Sequence, residues 1–312
     1  MCGAAYIMNS VMRRDSGGVL RNEFKDLRSY RHHGCAAVVW TSRYRKDGRL
    51  GRPHFSYTIS HLPSPGPLFP MCGRFAFDSP HEAVVRLFGL PDETPAIAPR
   101  YNIAPTTYIP AVREDVAATR RLAMLYWGLV PVWAKEKSIG SRMINARAET
   151  LREKPAFRNA YRKRRALVVA DGYYEWMKLG ARDKQPYFIQ PARGGPFAFA
   201  ALWERWRDPA SGEPLESCTL ITTNAPRPIA HIHDRMPVII PSSAYAQWLD
   251  PGNEDLDGLD RLLGTEGAGE LTARAVGRAV SNARNEGPGL IETLPQPMPD
   301  LPFDEPTNVD DD

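Results

Sequence analysis

Ala166-Leu-Val-Val-Ala-Asp-Gly-Tyr-Tyr-Glu-Trp-Met-Lys178 reads as two strands with a break between them. Ala166–Ala170 and Tyr173–Lys178 are rich in β-branched and aromatic residues, and Asp171-Gly172 parts them with turn chemistry. The same texture recurs outward along the chain, at Phe75-Ala-Phe77, Leu122–Leu129, Pro186–Gln190, Phe197–Trp203 and Cys218–Thr223. Helical signals are fewer. Ser79-Pro80-x-Glu82 spells a capping box with proline at the first helical position, predicting a helix over Pro80–Phe88. Glu149–Arg164 predicts a second, with Phe157 and Tyr161 on one face and Pro155 in or breaking its first turns. A third is expected over Ala244–Leu249. There is no alternating strand–helix rhythm and no internal repeat. The expected class is therefore α+β: one domain with a mostly antiparallel sheet curled like a barrel and short flanking helices.

Composition agrees. Of 312 residues, 29 are proline, roughly 9% against a typical ~5%, which excludes a coiled coil or a bundle of long helices. No run approaches 18 apolar residues, so no membrane span is expected. The first residues lack a basic region followed by an apolar core, so no secretory signal is read there, and a cytoplasmic location follows. Charge is uneven. Residues 1–70 carry 11 Lys+Arg against 4 Asp+Glu, whereas the rest of the chain is slightly acidic. A nucleic-acid site beyond residue 70 must then be a local basic cleft. Residues 1–70 show no sustained period and end in Pro63-Ser-Pro-Gly-Pro67, so they read as a basic, disordered extension. Residues 296–312 read as an acidic disordered tail. Cys2, Cys35, Cys72 and Cys218 form no C-x-x-C pair and no zinc-finger spacing, so reduced thiols are expected and no metal.

Taken singly, the polar islands have bland readings. Cys72 could be a buried small hydrophobe, Asn145 a helix cap, Glu175 the solvent side of a strand and His233 a loop residue. Their order along the chain carries more. Met71-Cys-Gly-Arg-Phe75 is followed by Arg100-Tyr-Asn-Ile-Ala-Pro105, Trp127-Gly-Leu-Val-Pro131 and Asn145-Ala-Arg-Ala-Glu-Thr150. Asp171-Gly-Tyr-Tyr-Glu-Trp176, Thr222-Thr-Asn-Ala225, His233-Asp-Arg-Met-Pro237 and Val280-Ser-Asn-Ala-Arg-Asn285 complete the set. Over about residues 71–292 this series resembles the SRAP family, the SOS-response-associated peptidases or abasic-site processing proteins.

The resemblance implies a protein that binds abasic single-stranded DNA and links to it through an N-terminal cysteine, here Cys72, in the DNA-damage response. The ring-opened abasic sugar exposes an aldehyde. A terminal cysteine offers an α-amine of pKa ~7.7–8.0 to form an imine and a thiol that closes it to a five-membered thiazolidine. An internal cysteine has only an amide nitrogen, so Cys72 must become a terminus. Met71 then reads as the initiator and residues 1–70 as an upstream start, with self-cleavage before Cys72 as the second option. Cys2 also follows methionine, but Ala4-Ala5 stands where the motif has Arg-Phe.

Further roles follow from the resemblance. Glu175 would be the general acid–base, with Tyr174 and Trp176 desolvating it. Asn145 would orient the Cys72 amine, and His233 would sit near the sugar, assisting proton transfer or reversal of the crosslink. Arg74 and Arg147 would grip phosphates, Asn102 would belong to the DNA-binding set, and Trp133 would stack on a base. A second aromatic beside Trp133 is replaced by Ala134. Activity would need no cofactor, the partner would be single-stranded DNA with abasic sites, and the protein would be a monomer, nucleoid-associated on damaged DNA. In the family's terms it is a hydrolase of the peptidase class, and a lyase activity could accompany it. Two rivals stand: a conventional cysteine peptidase using Cys72 and His233, and a non-covalent single-strand-binding module.

Overall fold

The computed structural model describes residues 11–14, 20–23, 72–115, 117, 119–180 and 183–295, and the chain divides into two compact units, Met1–Leu68 and Phe69–Asp312. In the first unit the described backbone is a hairpin, β1 (Val11–Arg14) antiparallel to β2 (Leu20–Glu23). The remainder of the expected basic extension, and the acidic tail from 296, lie outside the described residues.

The second unit begins with β3 (Phe75–Phe77), helix α1 (His81–Phe88), β4 (Arg100–Ile103), β5 (Tyr108–Glu114), β6 (Arg120–Trp127) and β7 (Asn145–Arg147). Helix α2 (Arg158–Lys163), β8 (Arg165–Ala170), β9 (Gly172–Lys178), β10 (Lys184–Pro191), β11 (Phe197–Arg207) and β12 (Pro214–Asn224) follow. Helix α3 (Arg227–Ala230), β13 (Arg235–Pro237), β14 (Ile239–Ile240), α4 (Tyr245–Leu249), α5 (Leu256–Arg261) and β15 (Leu271–Ala275) complete it.

Five strands close on themselves. β12 lies parallel to β6, β6 pairs with β5, β5 with β8, β8 with β11, and β11 returns to β12. Closure removes the sheet edges that an open sheet must protect. β7 and β13 extend from β12, and β14 from β11. Two of the barrel strands are buried on both faces: every residue of β8 is buried, and so are the first six of β11. One face of β8 fills the barrel while α4 covers the other, where the Trp248 indole donates to the Ala166 carbonyl at 2.9 Å. The buried Arg165 guanidinium finds no carboxylate. It donates to main-chain oxygens of Tyr161, Arg162, Trp248 and Asp250, satisfying carbonyls that the ends of α2 and α4 leave free.

The other sheet is open and antiparallel, in the order β15-β10-β9-β3-β4. Asp171-Gly172 carries the chain from barrel to open sheet. A Cβ on Gly172 would lie 2.1 Å from the Phe188 ring, so only glycine allows this approach. The expected α+β class with a curled, mostly antiparallel sheet is what the structure contains.

Two local expectations are corrected. The capping box does not form. The Ser79 hydroxyl and amide both donate to the Asp171 carboxylate, which also takes the Asp78 amide, and α1 starts after Pro80 with no side-chain cap. A largely buried carboxylate competes for donors better than an exposed helix end. The helix expected over Glu149–Arg164 is cut to a 3-10 turn at Ala148–Thr150 and α2, because Pro155 disfavours helical backbone at the residue before it. Phe157 and Tyr161 are both buried as expected. β4, β5 and β15 escape a pattern reading; in β5 the interior Pro110 masks the strand.

Candidate active site

β3 and β9 pair antiparallel with Phe75 opposite Tyr173 and Ala76 opposite Gly172. Continuing that register sets Glu175 level with Gly73, beside Cys72. The contact is direct: the Cys72 main-chain N–H donates to Glu175 Oε1 at 2.9 Å. Both residues are buried. Cys72 also holds φ at +48°, the left-handed region that a non-glycine residue occupies only when its surroundings impose it.

Alternation along β9 sorts its side chains. Tyr173 and Glu175 share one face, and Tyr174 and Trp176 take the other. Tyr173 joins the main core, edge-on to Phe199 at 6.0 Å, with Cys72 in the same cluster. Tyr174 packs at 5.0 Å on Phe188 and donates to the Tyr101 carbonyl, while the Trp176 indole donates to Ser281. The aromatic neighbours expected to desolvate Glu175 therefore point away from it; the core behind Tyr173 does so instead. Burial pushes the Glu175 carboxyl up to about 8, against the pull of the Cys72 N–H. Glu175 thus carries a proton at neutral pH and can give and retake it. Burial, reinforced by Glu175, holds the Cys72 thiol well above its ordinary value.

Asn145 enters from β7, held beside Leu220 of β12. Its Nδ2 makes a long 3.5 Å contact with the Cys72 carbonyl oxygen, while the Cys72 nitrogen goes to Glu175. His233 sits after α3, and its Nδ1 accepts the Arg235 N–H at 3.0 Å. The adjacent Asp234 raises the Glu175 carboxyl, so this loop borders the site. Arg235 anchors the loop. Its buried guanidinium forks onto both oxygens of Glu149 at 2.5 and 3.0 Å and reaches Asn224 Oδ1 and the Thr222 carbonyl. The motif His233–Pro237 contains Arg235 but the sequence gives it no role, because its partners lie up to 86 residues away.

The expected DNA-facing residues separate into two groups. Arg74 donates to Asn102 Oδ1 at 2.6 Å and to the Val280 carbonyl at 2.8 Å, and its guanidinium lies 5.9 Å from the Trp176 ring centre. Buried Asn102 donates onward to the carbonyls of Asn282 and Asn285. This pair knots residues 280–285 to β3 and β4, so Asn102 can influence a ligand only through them. Arg147 and Trp133 are exposed. Trp133 is 56% exposed and Val132 60%, whereas Ala134 is buried with its carbonyl bound to the Trp206 indole. The position lacking the second aromatic thus faces inward, and the exposed apolar pair is Val132-Trp133.

Cys218 is buried in the core; Cys2 and Cys35 lie outside the described residues. Among the described residues no cluster of His, Cys, Asp and Glu could hold a metal ion, and no helix is long and apolar enough to cross a membrane.

A family model described as SOS response associated peptidase (SRAP) matches residues 71–283. The abasic site processing protein YoqW of Bacillus subtilis (strain 168) is 41% identical over 225 residues, covering 72% of this chain and 100% of YoqW. The abasic site processing protein YedK of Escherichia coli (strain K12) is 31% identical over 238 residues, with the same coverage of each chain. A crystal structure of a protein from Bacteroides thetaiotaomicron shares the fold, with a TM-score of 0.62 at 24% identity over 72% of this chain and all of that one.

Proposed function

The chain belongs to the SRAP family of SOS response associated peptidases, and from that premise we propose that residues 71–295 process abasic sites in single-stranded DNA by a covalent thiazolidine link at Cys72. The observation that carries this reading is the buried 2.9 Å contact between the Cys72 nitrogen and a carboxyl with its pKa pushed up to about 8. Once the nitrogen is a free amine, Glu175 stands where proton transfer is needed. It donates to the sugar ring oxygen as the C1′–O bond breaks, leaving a carboxylate and an aldehyde whose oxygen still carries the hydroxyl proton. The Cys72 amine then adds to C1′ and loses a proton to Glu175. Glu175 returns it to the departing hydroxyl, which leaves as water and gives the iminium. The thiol adds to that carbon, its proton passing to Glu175 while the C=N pair moves onto nitrogen. The intramolecular closure gains a high effective molarity. Arg147 and Trp133, both exposed, are the residues to meet phosphate and base. Asn145 and His233 complete the site at the Cys72 carbonyl and on the bordering loop.

The conventional peptidase reading is weaker on electrostatic grounds. A peptidase thiol needs a cation beside it to form thiolate, whereas Cys72 has a carboxyl that opposes ionisation. The amine requirement makes residues 1–70 a separate basic segment that must be absent or cut away. Two routes free Cys72: synthesis from Met71 with Met71 then removed, or a cut before Cys72. The mass of the mature N-terminus tells them apart. The function itself is tested with the 312-residue chain and a chain begun at Met71, each incubated with an abasic single strand and run on a denaturing gel. The shorter chain is expected to form the adduct and its Cys72→Ala variant none. An adduct of the alanine variant at the parental level overturns the reading.

A further inference from the structure

Tyr173 carries a further buried polar group, in the same core cluster as Cys72. Its hydroxyl is fully enclosed and has no hydrogen-bond partner in the structure. An unpaired buried hydroxyl is a standing cost that a phenylalanine would not incur. Strand alternation aims Tyr173 at the same side as Glu175, and pairing with β3 sets it opposite Phe75, three residues after Cys72. The thiol of Cys72 and the carboxyl of Glu175 are the ionisable groups whose fields reach it.

Resting on the reading above, we infer that Tyr173 is a positioning residue for ring closure, whose hydroxyl donates a hydrogen bond to the Cys72 sulfur as the thiol gives up its proton. In the resting site the thiol is protonated and the hydroxyl makes no bond to it. As the S–H bond breaks toward Glu175 and the S–C1′ bond forms, negative charge gathers on sulfur and makes it a strong acceptor. The phenol then donates without transferring its own proton. An interaction absent at rest and made in the transition state lowers the barrier in full. Imine formation involves only the nitrogen and the carboxyl, so the hydroxyl should be irrelevant to it.

The two steps separate chemically, because borohydride reduces and traps the imine but leaves the thiazolidine unchanged. YoqW aligns over its whole length with 72% of this chain and the family model matches residues 71–283, so a chain begun at Met71 with Met71 removed is the protein to use. In Tyr173→Phe, borohydride-trapped adduct is expected to appear at the parental rate, while adduct stable without borohydride forms about tenfold more slowly. 3-Fluorotyrosine at 173, a more acidic donor of nearly the same size, should restore closure to at least the parental rate. A melting temperature within a degree or two of the parent's, measured on each protein, separates lost chemistry from lost packing. Equal closure rates for parent and Tyr173→Phe, or equal slowing of both steps, overturn the inference. A parent that forms neither adduct overturns the underlying function instead.

Discussion

The two halves of residues 166–178 enter opposite kinds of sheet. β8 is one stave of a closed barrel, buried on both sides and apolar throughout after Arg165. β9, one residue later, lies in an open sheet and alternates Tyr173 and Glu175 against Tyr174 and Trp176. The barrel has no edge at which a ligand could add, and its buried thiol, Cys218, is pushed up by burial alone. The open sheet supplies what the barrel cannot. Where β3 begins, the backbone of Cys72 crosses beside Glu175, and burial against the barrel keeps the proton on that carboxyl. Stability and chemistry are divided between adjacent strands, and Gly172 is where they part.

The sharpest test of that division comes from its stable side. Phe199→Ala removes a ring that packs edge-on against Phe75, Tyr173 and Phe197, and should cost about 3–5 kcal/mol. Denaturant midpoints measure it; a loss under about 1 kcal/mol would show that the barrel core is looser than its burial implies. On the chemical side, Glu175→Gln keeps the acceptor for the Cys72 N–H but cannot give up a proton. Adduct formation should slow by about 10²-fold while binding to intact single strands is unchanged. An unaltered rate takes Glu175 out of the mechanism.

The same variant sharpens the comparison through pH. Burial raises the folded-state pKa of Glu175 above its unfolded value, so the folded chain binds the proton more tightly. That contribution is fully present below the unfolded carboxyl range and is lost as pH rises through about 8. The parent should therefore lose stability on the order of a few kcal/mol between about pH 4.5 and 8.5, a slope that Glu175→Gln flattens. Parallel urea midpoints for the two proteins across that range would contradict the buried acid. The smallest expected effects lie at the surface. Trp133→Ala should weaken binding to single strands by about tenfold with no change in melting temperature, since its ring is more than half exposed. Val132→Ser tests whether the exposed neighbour substitutes for the aromatic that Ala134 lacks, with a loss of about twofold read by the same titration.

Much of this architecture is legible in the amino-acid sequence. Runs such as Phe197–Trp203 and Cys218–Thr223 declare themselves as strands by composition, and the structure only lengthens them to β11 and β12. Proline-bearing β5 does not. Ser79 advertises a helix cap it never makes, because Asp171 lies 92 residues away in sequence and 2.8 Å from its amide. The motif series brings Cys72 and Glu175 to attention, but not the contact between them.

Residue order alone establishes where most strands lie, that the fold is α+β, and which residue types could do chemistry on an aldehyde. Three features emerge only when the chain is folded: β12 meets β6 to close the barrel, the Tyr173 face of β9 is the one that joins the main core, and Arg235 is held by Glu149. The cause is range. Strand propensity and turn chemistry act over a few residues, whereas desolvation, register and ion pairing depend on which distant segments exclude water from the same place.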